Sequence, residues 1–329
     1  MSANPLPVSA PGKLFLLGEY AVLGGGPALV TSVDRKVHLR VRDDHDGYEV
    51  VGTEFDDPLH LPMLVARVLR ELAGLDVDFN GVTVDVGEFF RKDTKLGIGS
   101  SAASTSALVA SAAPELSVHR RFELAWEVHH RLQGGVGSGA DIAVSTFGGP
   151  LAFHLKSSAT SSDFDSVDCS GLSATADAIR TEQAVIDCGI ELPDELRIDA
   201  VWTGQRADSV SFVTGVTDAL SRSPQQVSAI LRSLASRSRV GINAARKGDA
   251  DALIDAVRKA DRTMEQLGDA TGLPIITDTH RRIRALAHTT QAVAKPSGAG
   301  GGDFTLLVGP ADAPVPRPIE DDYFVMTVA

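Results

Sequence analysis

Hydrophobic and polar positions alternate with a period of two over residues 36–41, where Val37, Leu39 and Val41 share one side, and again over residues 82–86. That period predicts half-buried strands. Residues 8–17, 28–33, 197–202, 304–308 and 323–328 are further strand candidates, the first interrupted at Pro11-Gly12. Helical spacing runs through Leu61, Leu64, Val65, Val68, Leu69 and Leu72 and stops at Gly74. It returns over residues 121–132, with Phe122, Ala125, Trp126 and His129 on one stripe, and over 249–267 and 277–288. Ser223-Pro224 reads as an N-cap and first-turn proline for a helix over 224–234. Residues 310–318 are proline-rich and predict a surface loop. Residues 157–171, rich in serine and aspartate, are the least ordered-looking stretch. The predicted strands cluster between helices instead of alternating strictly with them. This favours an α+β fold over a doubly wound sheet.

The chain has 329 residues, enough for two packed domains. Its net charge of −12 leaves no broad basic footprint for nucleic acid or an anionic membrane. Positive groups facing any polyphosphate ligand must therefore be local. Two cysteines, Cys169 and Cys188, support neither a disulfide framework nor a zinc site and fit a reducing compartment. Residues 1–9 lack the basic and apolar regions of a signal peptide, and no apolar run is long enough to span a membrane. The expected location is the cytoplasm.

Candidate chemistry lies in three glycine-rich stretches. The central one is Lys95-Leu96-Gly97-Ile98-Gly99-Ser100-Ser101-Ala102, followed by small residues through Ala113. Ser100 or Ser101 is a suitable N-cap for a helix over 102–113. A glycine loop feeding a helix N-terminus presents unpaired N–H groups and the positive end of the helix dipole, which suits a phosphate. Lys95 would add a full charge. Read alone, the stretch is equally a tight turn before an ordinary capped helix. It is neither a Walker loop nor a dinucleotide fingerprint. The second stretch is Gly134-Gly135-Val136-Gly137-Ser138-Gly139, leading into Ala140-Asp141. The third is Lys295-Pro296-Ser297-Gly298-Ala299-Gly300-Gly301-Gly302-Asp303, which runs into an apolar strand. Near the start of the chain, Lys13, Glu19 and Tyr20 are polar or amphipathic groups in an otherwise apolar segment.

Pro-Gly-Lys-Leu-Phe-Leu-Leu-Gly-Glu-Tyr-Ala-Val-Leu at 11–23, the glycine-serine loop, Gly-Ser-Gly-Ala-Asp at 137–141, Trp-Thr-Gly at 202–204 and the third loop occur in an order and spacing that resembles the GHMP kinase superfamily. Within it the chain looks most like the phosphomevalonate kinases. Mevalonate kinases usually carry Gly-Glu-His, Pro-Ser-Gly-Val-Asp and Thr-Gly-Ala-Gly-Gly-Gly at the corresponding places. The resemblance implies a two-domain α+β kinase with its active site in the interdomain cleft. Residues 1–190 would form the ATP-binding domain and 191–329 the substrate side. ATP and Mg²⁺ are the implied cofactors and 5-phosphomevalonate the implied acceptor, giving a diphosphate. Small molecules would be the only partners of a monomer or homodimer. The alternatives are a mevalonate kinase or another small-molecule GHMP kinase, and a non-catalytic ligand-binding regulator of the same fold.

The same resemblance assigns roles. Lys13 and Asp141 are the implied catalytic pair, with Lys13 also touching substrate. Lys95, Gly97, Ile98, Gly99, Ser100, Ser101 and Ala102 would hold ATP, and Ser101 would reach Mg²⁺. Glu19, Tyr20, Ser138, Arg206, Ser209, Ser211, Gly300, Gly301 and Asp303 are the implied substrate-side residues. A phosphomonoester acceptor is already largely ionised near neutral pH, so Asp141 is needed less as a base than as a metal ligand or a hold on Lys13. One departure stands out. Mevalonate kinases place a Mg²⁺-binding glutamate eleven residues before the middle aspartate, where this chain has His130. Mg²⁺ prefers oxygen, so its ligands must lie elsewhere. His129 reads as a core histidine.

Overall fold

The computed structural model describes residues 2–3, 5–42, 47–52, 60–135, 137–156 and 178–328. The serine- and aspartate-rich stretch 157–171 lies outside the described residues. The chain divides into two compact units, Met1–Lys13 with Ser32–Gly148, and Leu14–Thr31 with Gly149–Ala329. The division falls after Gly148, and the second unit takes Leu14–Thr31 from the N-terminal region. Strand pairing explains this. Pro27–Val30 pairs antiparallel with residues 151–154, a non-local match that local patterning does not reveal.

In the first unit, His38–Val41 pairs antiparallel with the strand Val82–Asp85, which pairs in parallel with Tyr48–Val51. Among the described residues four α-helices accompany these strands: His60–Ala73, Ser100–Ala112, Val118–Leu132 and Ala140–Phe147. The helix Ser100–Ala112 packs against the other three, and nearly all its residues are buried. Its small side chains on every face allow this, because a helix with no strongly polar side needs neighbours all round. The helix Val118–Leu132 begins earlier than expected, capped by the Ser117 side chain, which accepts from the Arg120 amide.

In the second unit, the strands Val293–Pro296, Phe304–Pro310, Leu196–Trp202 and Phe324–Thr327 form an antiparallel sheet in that order. Val201, Ala294 and Leu307 of this sheet share a core with Ile283, Ala287, Val315 and Ile319. The strand Leu151–Leu155 also pairs with Ala184–Asp187, and that strand with Ala178–Arg180.

Several expected boundaries shift. The strand Val8–Leu17 runs without interruption through Pro11-Gly12, and the Pro11 carbonyl accepts from the Ser145 hydroxyl at 2.9 Å. The two strands expected over 28–41 are one strand, Pro27–Val41. The helix expected to end near 234 is Pro224–Arg246, since Ala235, Ser238, Ala244 and Ala245 are buried despite their small or polar character. The helix Ser209–Arg222 begins at Ser209, one of the serines implied on the substrate side, and the helix Arg317–Asp322 replaces the end of the expected proline-rich loop.

The helix Asp278–Ala287 opens with a capping box between Thr277 and His280. His280 Nδ1 accepts from the Thr277 amide at 3.1 Å. Burial pushes the imidazole down to about 4, outweighing the Gly302 carbonyl, with Arg284, Lys295 and Arg281 adding to the depression. An unfolded histidine titrates near ~6.5, so the unfolded chain binds more protons between these values. Stability contributed by neutral His280 is full above the unfolded value and lost as pH falls toward about 4. His280→Gln keeps an acceptor for the Thr277 amide and should show a shallower loss between pH ~7 and ~5 in chemical denaturation. Identical pH dependence in the two proteins would exclude His280 as the source.

Candidate active site

Lys13 is half-buried on the strand Val8–Leu17, and its amide donates to the Ile98 carbonyl at 2.8 Å. Its aliphatic stem lies over Gly99. A Cβ there would stand 3.2 Å from Lys13 Cγ and 3.4 Å from Cε. Gly99 also holds φ at +84°, a left-handed conformation that favours glycine. The close approach and the loop geometry therefore require the same residue. Gly99, not a serine, is the N-cap of the helix Ser100–Ala112, and no side chain caps this end. Ser100 and Ser101 sit one step further in, within the first turn, with Ser100 buried and Ser101 half-buried. The first-turn N–H groups of Ser100, Ser101 and Ala102 are thus left without a capping side chain, which is how a helix end receives an anion. Lys95 ends a short hairpin in which Thr94–Lys95 pairs with Phe90–Arg91, and the Leu96 amide continues it by donating to the Phe89 carbonyl at 2.9 Å.

The second glycine loop leads into the helix Ala140–Phe147, capped by Gly139 in a left-handed conformation. Val136 lies outside the described residues. Asp141 is in the first turn, where a carboxylate is favoured by the helix dipole. Its Oδ1 accepts from the Ile142 amide at 3.0 Å, and its Oδ2 lies 4.0 Å from Nε2 of buried His129. One turn beyond Asp141, Ser145 donates to the Pro11 carbonyl, two residues before Lys13. This bond ties the helix carrying Asp141 to the strand carrying Lys13. Ser138 is buried, and its hydroxyl accepts from the Ala140 amide at 3.2 Å. His130 stacks on Trp126, with ring centroids 4.6 Å apart and planes 12° from parallel.

In the second unit, Glu19 and Tyr20 face internal partners rather than open space. Glu19 forms a buried ion pair with Lys295, whose ammonium also donates to the Pro296 carbonyl. The Tyr20 hydroxyl donates to the Ala299 carbonyl at 2.5 Å, and burial, with the charge of Glu19, raises its pKa far above the ordinary tyrosine value. The Phe15 amide donates to Ser297 Oγ at 2.9 Å. These bonds anchor the third glycine loop to residues 15–20. Its other side is equally occupied. The Gly301 amide donates to the Ile275 carbonyl at 2.9 Å, and a Cβ on Gly300 would fall 2.4 Å from that same oxygen. Asp303 Oδ1 accepts from the Ala207 amide at 3.1 Å. Asp208 caps the helix Ser209–Arg222 and receives both the amide and the hydroxyl of Ser211, which lower its pKa. Arg206 and Ser209 are exposed beside it.

Residues 61–149 match the GHMP kinases N terminal domain. Over 343 residues the chain is 31% identical to a phosphomevalonate kinase of Streptomyces sp. strain CL190, with 92% of this chain and 90% of that protein covered. The chain is a GHMP kinase. This GHMP kinase is also 28% identical over 318 residues to a mevalonate kinase of Aeropyrum pernix, covering 91% of itself and 86% of the relative. Its α+β fold is that of a solved Streptococcus pneumoniae phosphomevalonate kinase in complex with phosphomevalonate and AMPPNP. The two share a TM-score of 0.76 at 19% identity, covering 98% and 100% of the chains.

Sequence reasoning gave no role in this GHMP kinase to Lys295, Ser297, Ser145 or Trp126. A signal for Lys295 was present. A lysine in the apolar run Ala292-Val293-Ala294-Lys295 needs an acidic partner once buried, and Glu19 is an acid in an equally apolar run. Ser145 and Trp126 gave no such signal, because their partners are backbone carbonyls.

Proposed function

We propose that this GHMP kinase transfers the γ-phosphoryl group of ATP to 5-phosphomevalonate, giving 5-diphosphomevalonate. The observation that carries the reading is the near full-length relationship to the Streptomyces phosphomevalonate kinase. The first-turn amides of Ser100, Ser101 and Ala102 would receive the nucleotide phosphates, with Gly97, Ile98 and Gly99 shaping the approach and Lys95 adding charge. Lys13 would neutralise charge on the phosphoryl group in flight, in a reaction where positioning and electrostatics supply most of the catalysis. Asp141 would orient Lys13 or the acceptor. Its tie to the Lys13 strand through Ser145 favours this role.

Mg²⁺, when bound, would supply positive charge against the nucleotide phosphates. The chain offers it few ligands. Ser101 supplies a hydroxyl and Asp141 a carboxylate, while His130 is occupied by its stack on Trp126. Among the described residues no three His, Cys, Asp or Glu side chains converge on a metal position. With Ser101 and Asp141 as its protein ligands, the ion would take its remaining ligands from nucleotide oxygens and water.

For the acceptor phosphate, Arg206 is the strongest candidate contact, able to bind two oxygens at once. Ser138 and Ser209 would assist, whereas Ser211 already donates to Asp208. Glu19, Tyr20, Gly300, Gly301 and Asp303 would act by shaping the third loop. The two cysteines in the whole chain favour the cytoplasm as its place of work. No helix among the described residues is long and apolar enough to cross a membrane.

The test is ADP release with mevalonate, 5-phosphomevalonate, homoserine and galactose as acceptors. Turnover should be highest by far with 5-phosphomevalonate. Preference for mevalonate would overturn the acceptor and leave the family intact. Ser101→Asp should abolish ATP use in a folded protein, because the new carboxylate would repel the phosphates at the helix end. Unchanged ATP affinity in that variant would make the loop purely structural.

A further inference from the structure

His129 and Gln133 are not explained by packing alone. On the helix Val118–Leu132 and its C-cap, positions 126, 129, 130 and 133 fall on neighbouring rows of one face. This face supports the second glycine loop along its length. Trp126 Nε1 donates to the Ser138 carbonyl at 3.3 Å, and a Cβ on Gly139 would lie 2.2 Å from the Trp126 ring. Gln133 lies under the other end of the loop, its Oε1 2.6 Å from where a Cβ on Gly137 would be. Between these two supports, the imidazole of His129 is 3% exposed. Its Nε2 has two polar neighbours: the Gln133 amide at 3.3 Å and Asp141 Oδ2 at 4.0 Å.

We propose that His129 is a positioning residue for phosphoryl transfer: it carries its proton on Nε2 and directs it at the Asp141 carboxylate, while the Gln133 amide, turned end for end so that its oxygen faces Nε2, accepts from the same N–H and fixes the imidazole. The proposal rests on the catalytic reading of Asp141 given above. Asp141 Oδ1 is already held by the Ile142 amide, so Oδ2 is the oxygen left to set the orientation of the carboxylate. A buried ring nitrogen needs a partner, and a carboxylate is the stronger acceptor available to it. At 4.0 Å the pair is beyond hydrogen-bond reach, and a small side-chain rotation closes the gap. Catalytic contacts commonly lengthen in the absence of substrate and tighten when it binds. The departure at position 130 has the same logic. The helix face carries a tryptophan–histidine stack that backs the loop, and the neighbouring histidine addresses the aspartate instead of a metal.

The test is steady-state kinetics of four variants of the full chain: His129→Leu, His129→Gln, Gln133→Glu and Asp141→Asn. Both substrates are varied, and folding is checked by circular dichroism. His129→Leu keeps the volume but removes the nitrogen, and should lower kcat about tenfold with little change in either KM, the pattern of a lost transition-state contact. His129→Gln places an amide near the Nε2 position and should recover most of that loss. Gln133→Glu, at a half-buried site, offers His129 a competing carboxylate and should lower kcat several-fold; it serves if His129→Leu does not fold. Added to Asp141→Asn, neither His129→Leu nor Gln133→Glu should reduce kcat further, because residues acting through one group are not additive. Full additivity, or no loss in either the His129→Leu or the Gln133→Glu protein while Asp141→Asn is impaired, overturns the proposal alone. An Asp141→Asn protein with undiminished kcat overturns both the proposal and the catalytic reading of Asp141.

Discussion

Lys13→Ala is expected to lower kcat by about two to three orders of magnitude, the scale of losing one preorganised electrostatic contact to developing charge. Three features concentrate this effect in Lys13. Its backbone is fixed to the Ile98 carbonyl, its stem is laid across Gly99, and the uncapped end of the helix Ser100–Ala112 begins at the next residue. On the proposed function, with phosphate received at that helix end, the Lys13 side chain starts beside it and little reorganisation remains to be done during transfer. A phosphate acceptor already carries its nucleophilic oxygen as an anion, so charge neutralisation dominates over proton removal. Asp141→Asn should accordingly be the milder change, on the order of ten- to a hundredfold. The double variant should lose less than the product of the two single losses if Asp141 acts through Lys13. Kinetics of the single and double variants decide this. A larger loss in Asp141→Asn, with a rate that rises as one group deprotonates, would establish Asp141 as a general base instead.

Lys295→Ala is expected to destabilise the protein by about 3–5 kcal/mol, the usual consequence of stranding one charge of a buried pair. Lys295 is fully buried and Glu19 is 7% exposed. Glu19 Oε2 has no hydrogen-bond partner among the described residues, so the ammonium is the principal compensation for that carboxylate. Lys295 also faces buried Asp261, whose pKa is raised by burial and pulled back chiefly by Arg284. Replacing both partners by neutral groups of similar shape, Glu19→Gln with Lys295→Met, should recover most of the loss, because the desolvation of two charges disappears along with their attraction. Urea denaturation of the single and double variants measures this. A Lys295→Ala protein within about 1 kcal/mol of the parent would mean that the pair is not compensating a buried charge.

The two predictions draw on different kinds of information. Lys13 could be singled out as a candidate because its sequence context is local. A glycine, a lysine and an apolar strand sit together at 12–17, and the glycine-serine loop over 95–102 stands before a helix of small residues. Glycine positions, helix ends and charge in an apolar run have meanings that depend on a few neighbours, and so the loops, most helices and the α+β class could be read from the chain. The helix over 100–112 was foreseen for that reason, while its cap was misassigned because Ser100 and Gly99 both fit a cap on composition, and only the left-handed backbone at Gly99 separates them.

Tertiary structure decided what depends on distant partners. No pattern within residues 14–31 shows that they belong with residues 149–329, because that membership comes from pairing with the strand Leu151–Leu155 and from bonds to Ser297 and Ala299. From the residues themselves, Glu19 and Tyr20 stood out as polar groups in an apolar segment, and folding gives them internal partners, Lys295 and the Ala299 carbonyl, in the third loop. His129 looked like a core residue and is one, yet its ring nitrogen points at Asp141 across a sequence gap that helix periodicity does not bridge. Sequence determined which residues can carry charge, turn sharply or begin a helix, since those properties belong to the residue and its nearest neighbours. Which of them are stranded together out of water, and so must pair, was settled only by folding, because burial and proximity are properties of the whole chain.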